Sequence, residues 1–87
     1  STLREIKQRG GIQTMIVKFN GKKLKSIRKQ RKLSQEKLAE KADLGDRYIR
    51  ALESGEKRNP SAVLLFRVSI VLEVPMEELM ESEKEAL

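Results

Sequence analysis

Between Ser34 and Gly55 the chain reads SQEKLAEKADLGDRYIRALESG, two apolar-striped segments parted by a short break. This spacing constrains the fold more than any other feature. Helices this short are marginal in water and persist only when packed against each other and against neighbours. Ser34 is an N-cap that can accept from a free amide of the first turn. Leu33 and Leu38 have the spacing of a hydrophobic staple, and Leu38, Ala39 and Ala42 form one face. Asp43 falls where the chain must turn, and Asp tolerates left-handed geometry better than most residues. The second helix starts after Gly45, with Leu44 and Ile49 repeating the staple. Ile49 and Leu52 point inward, leaving the outer side to residues 46, 47, 50, 51 and 54, with Tyr48 expected outward beside Arg47 and Arg50. Gly55 supplies the stop.

The flanks extend this pair into a domain. Asn20 can cap a first helix over about 21–32, with Leu24 and Ile27 inward and Lys22, Lys23, Lys25, Lys29 and Lys32 mostly outward. A fourth helix is expected from near Ser61, after Pro60, to Leu72, burying Ala62, Leu65, Val68, Ser69 and Leu72. Pro75 suits the start of a fifth, with Met76, Leu79 and Met80 inward. The fold class is therefore all-α, a compact five-helix domain over 20–82. Residues 1–19 are expected as an N-terminal arm and 83–87 as a C-terminal tail. Met15, Val17 and Phe19 alternate, which suggests a short strand at 14–19. Gly10-Gly11 breaks any helix begun at Leu3, and residues 1–13 are left open between an upstream extension and a basic arm.

Composition narrows the chemistry. Among 87 residues there is no His and no Cys, which removes the commonest general base, thiol nucleophiles and Cys/His metal sites. No enzyme, cofactor or metal is expected, and no apolar run reaches membrane length. The charge is polarised: residues 1–59 hold 17 basic against 7 acidic side chains, and residues 60–87 hold 2 against 6. Such polarity would turn the basic part toward a polyanion.

LKSIRKQRKLSQEKLAEKA (24–42), IRALESGEKRNPS (49–61) and LEVPMEEL (72–79) together resemble the helix-turn-helix domain of the phage-repressor and Cro type, the XRE family. The resemblance covers about two thirds of the chain and implies a lambda-repressor-like bundle that binds double-stranded DNA. Its recognition helix would be about 46–54. Arg47 is then the first candidate for base contact, because its planar fork can take guanine O6 and N7 together. Arg50 could read a base or grip a phosphate. Tyr48 could touch a backbone or a thymine methyl, or pack partly in the core. Ala51 offers a short apolar contact. Asp46 could accept from cytosine N4, though its place at a helix start favours a dipole role. The resemblance further implies phosphate contacts for Gln35 and for the loop Lys57, Arg58 and Asn59, and a structural ion pair between Arg28 and Glu53. Three residues depart from the family pattern: Asp43 and Glu73 stand where Gly is usual, and Gly45 where Ser or Thr commonly caps.

The fourth helix is more apolar than one core face requires. Val63, Phe66, Ile70 and then Val74 mark a second stripe, to be covered by a two-fold dimer or by residues 14–19. The expected function is a cytoplasmic, sequence-specific transcriptional regulator, a repressor of bacterial, phage or mobile-element type, acting as a homodimer on a palindromic operator. An antitoxin-like partner of another protein, with DNA binding secondary, is the alternative.

Overall fold

The computed structural model describes residues 14–85, and the questions raised by residues 1–13 lie outside them. Four helices carry the fold: α1 (Gly21–Gln30), α2 (Gln35–Ala42), α3 (Asp46–Ser54) and α4 (Ala62–Leu72). Strand β1 (Thr14–Phe19) precedes them; a 3-10 turn (Met76–Leu79) and strand β2 (Met80–Glu85) follow. Every helix supplies apolar side chains to one core, with Leu24, Leu38, Ile49, Leu52, Val68, Leu72 and Leu79 fully buried. Each such side chain contributes roughly 1.5–3 kcal/mol when removed from water.

The capping residues act as their types require. The Asn20 side chain accepts from the amides of Lys22 and Lys23, Ser34 from Lys37, and Ser61 from Leu64. Gly45 makes no side-chain cap bond.

Three helices end in the same way. Lys32, Asp43 and Glu73 all have φ near +60°. In each case the next amide, of Leu33, Leu44 or Val74, returns to a carbonyl five residues back, Arg28, Ala39 or Ser69. These are Schellman caps, and the apolar residue after each left-handed one packs against the core. That anchor offsets the cost of left-handed geometry at a residue with a Cβ. α3 has no such anchor, since exposed Glu56 follows its cap, and there the left-handed residue is Gly55, at φ +88°.

The expectation of a fifth helix is corrected to a single 3-10 turn. Leu79 is buried as expected, but its carbonyl accepts from the amide of Asn20 at 2.9 Å. The chain then pairs antiparallel with β1, in register from Phe19↔Met80 to Thr14↔Glu85. Strand pairing thus takes the backbone groups that further helix would have used, and it joins residues 14–19 of the expected arm to residues 80–85, which include the start of the expected tail. Asn20 stitches the junction, donating to Glu81 Oε2 at 3.2 Å while capping α1.

Two expectations about α4 also change. Ala62 is exposed, because it lies in the first turn beyond the packed elements. Val74 is half-buried as the anchor of the α4 cap and so leaves the outer stripe. Val63, Phe66 and Ile70 remain 64%, 53% and 59% exposed, so the ribbon does not cover them.

Candidate nucleic-acid interface

The site is built on α3. Ile49 and Leu52 sink one side of this helix into the core, and Arg47, Arg50 and Ser54 are left exposed on the other, with Ala51 half-buried between them. Arg47 makes no ion pair among the described residues. Arg50 is held: its Nη2 lies 3.2 Å from Asp46 Oδ2, one helical turn away. Asp46 therefore sits at the start of the helix, where its charge complements the dipole, and orients Arg50.

Tyr48 is not outward. Its ring is half-buried against the core, and its hydroxyl is buried without a hydrogen-bond partner among the described residues. The Lys57 Nζ lies 5.6 Å from the ring centroid, a cation–π contact that ties the following loop to α3. Helix periodicity is the reason: Tyr48 neighbours Ile49 and lies one turn from Leu52, so its ring falls at the edge of the buried side.

On the opposite flank, Arg28 and Glu53 form a two-pronged pair. Arg28 Nε lies 2.6 Å from Glu53 Oε2, and Nη2 lies 3.1 Å from Oε1. Their side chains are 8% and 3% exposed, so the pair is buried. Arg28 Nη1 also donates to the Leu33 carbonyl, and Gln35 Nε2 donates to Glu53 Oε1 at 2.9 Å. One network thus fixes α1, the start of α2 and α3 together. The Gln35 amide carries a second hydrogen, which can serve an outside acceptor.

Lys57, Arg58 and Asn59 are exposed in the loop after α3. Arg58 Nε leans on the Gly55 carbonyl at 3.4 Å. Arg58 and Asn59 also line an open cleft of about 580 Å³ with Lys22, Ser54, Gly55 and Lys18. From its spacing Lys22 is expected only to face outward, with no contact assigned to it. The signal available was the run of residues 20–33, with seven basic and no acidic side chains. Among the described residues no group of His, Cys, Asp or Glu is able to hold a metal, and no helix is long and apolar enough to cross a membrane.

Comparison with known proteins places this geometry. The helix-turn-helix family model HTH_3 matches residues 24–79. The HTH-type transcriptional regulator SinR of Bacillus subtilis is 35% identical over 65 residues; the match takes in 75% of this chain and 59% of SinR's length. The immunity repressor of Bacillus phage phi105 is 38% identical over 63 residues, covering 72% of this chain and 43% of the repressor. Control protein C.MunI of a Mycoplasma species is 43% identical over 67 residues, covering 75% of this chain and 89% of that protein. Among solved structures, SinR in complex with DNA superposes with a TM-score of 0.66 at 37% identity, over 68% of this chain and 94% of the other.

Proposed function

The chain belongs to the helix-turn-helix family, and we propose that it is a sequence-specific double-stranded DNA-binding regulator that represses transcription from a cytoplasmic operator. The observation that carries this reading is α3, seated on Ile49 and Leu52 with Arg47 on its free face, in no ion pair among the described residues. Similarity to a protein solved on DNA supports it. Arg47 reads a base, Arg50 reads or grips from its Asp46 tether, and Ala51 offers an apolar contact. Tyr48 acts by shaping the surface and holding Lys57. Gln35 on one flank of α3, and Lys57, Arg58 and Asn59 on the other, grip the two phosphate walls of the groove.

The working unit is a homodimer joined through Val63, Phe66 and Ile70, which reads half-sites about 34–36 Å apart. Those same exposed residues favour the second reading, in which the apolar face of α4 engages a different protein and DNA binding is secondary.

Selection from a random duplex library tests the first reading. An enriched inverted repeat is expected, and no enrichment would overturn it. Arg47→Ala should cost about 1–3 kcal/mol and relax one base position. Unchanged discrimination at every position would remove Arg47 from the reader.

A further inference from the structure

The seven basic residues of 20–33 divide by what they touch. Arg28 is committed to Glu53, Lys23 Nζ donates to the Met80 carbonyl at 2.8 Å, and Arg31 Nε donates to the Leu72 carbonyl at 2.8 Å. These three brace α1 against α3 and against the C-terminal part of the chain. Lys22, Lys25, Lys29 and Lys32 are exposed and meet no carboxylate among the described residues.

Spacing puts three of them in one stripe. Lys22, Lys25 and Lys29 stand three and four residues apart on α1, while Lys32 lies past the helix end at φ 60°. Lysines so placed are close neighbours, and like charges at this spacing disfavour the helix that carries them. Arg28 on the same helix is joined to Glu53, which also accepts from Gln35, so α1 carries both the stripe and one arm of the network that holds α3. The N-terminal end of the stripe reaches the cleft that Lys22 shares with Arg58 and Asn59, and also with Glu53 and Glu81. Lys22, Lys25 and Lys29 thus form a cationic ridge of about 10 Å along α1, and α1 is pressed against α3 at Gly21 and tied to it by the Arg28–Glu53 pair.

We propose that this ridge is a second DNA-backbone contact, in which Lys25 and Lys29, with Lys22, hold successive phosphates beside the groove occupied by α3. The proposal rests on the DNA-binding reading and adds a footprint that carries affinity without sequence choice. Polyanion binding relieves the lysine repulsion that the free domain bears, which an apolar or cationic partner would not do.

The test measures binding of the selected duplex against salt for the wild type, K25Q/K29Q, and the control K41Q/R67Q. The control removes the same number of exposed charges from α2 and α4. K25Q/K29Q should lower the slope of log K against log salt by about 1.8, or about 3.5-fold in affinity loss per lysine between about 50 and 200 mM salt. Its preference for the selected duplex over scrambled DNA should be unchanged, and its melting temperature equal to or above that of the wild type. The control should leave the slope near that of the wild type. An unchanged slope in K25Q/K29Q, or an equal fall in the control, overturns the proposal while leaving the DNA-binding reading intact. A wild type that prefers no duplex overturns both.

Discussion

A Cβ built on Gly21 would overlap the Leu52 carbonyl oxygen and come within 3.2 Å of the Glu53 Cα. No turn geometry requires this glycine; it is a crossing point at which α1 presses on the backbone of α3. Gly21→Ala should therefore destabilise the domain by roughly 1–3 kcal/mol through overpacking, read as a lower urea midpoint. A change below about 0.5 kcal/mol would mean that α1 can retreat freely. Glu53 acts at the same crossing. Glu53→Ala strands the buried Arg28 guanidinium and should cost about 3–5 kcal/mol, whereas the double substitution Arg28→Met with Glu53→Leu should recover most of the loss. Denaturant titration of the three variants checks this, and a double variant no better than Glu53→Ala would show that the pair contributes beyond mutual neutralisation. The chain order Arg28…Glu53 was legible through family resemblance. Its depth, and the addition of Gln35 to it, were not, because three elements separated in sequence must meet to form the network.

At the scale of elements, the helix ends decide how short helices persist. The sequence singled out Asp43 and Glu73 as residues standing where Gly is usual; Lys32 is a third of the same kind. Each is followed by an apolar anchor, and that is the local rule the pattern obeys. Left-handed geometry costs a residue with a Cβ about 1–2 kcal/mol, and less for Asp. Glu73→Gly should thus gain about 0.5–1 kcal/mol after the entropy glycine adds to the unfolded chain, and Asp43→Gly should gain less. Thermal unfolding checks the order of the two; a larger gain at position 43 would contradict it. The α4 cap also accounts for Val74, whose place in the apolar stripe was a matter of spacing, while its burial comes from the turn that follows the helix.

On the scale of the whole molecule, two features lie on surfaces with opposite chemistry. Cationic residues gather on α1, α3 and the loop after it, and the exposed apolar face lies on α4. If that face joins two copies, sedimentation should give a dimer at micromolar concentration, and Phe66→Lys should give a folded monomer with weakened operator binding. A wild type that stays monomeric at high micromolar concentration would assign the face to a different partner. The β1–β2 ribbon lies outside the matched residues 24–79 and closes the two ends of the described chain on each other.

The positions of α1 to α4, their N-caps and most of each buried side were determined by sequence alone, because apolar spacing and cap chemistry act within a few residues. The reader helix and its outward Arg47 and Arg50 follow from the same local rules. Only the tertiary structure decided that Lys57 comes to lie over the Tyr48 ring, that residues 76–79 stop after one 3-10 turn, and that Gly21 must be small. Each of these depends on what a distant segment brings: a loop cation, a strand partner, a carbonyl oxygen. Local pattern carries no record of such neighbours until the chain has closed around them.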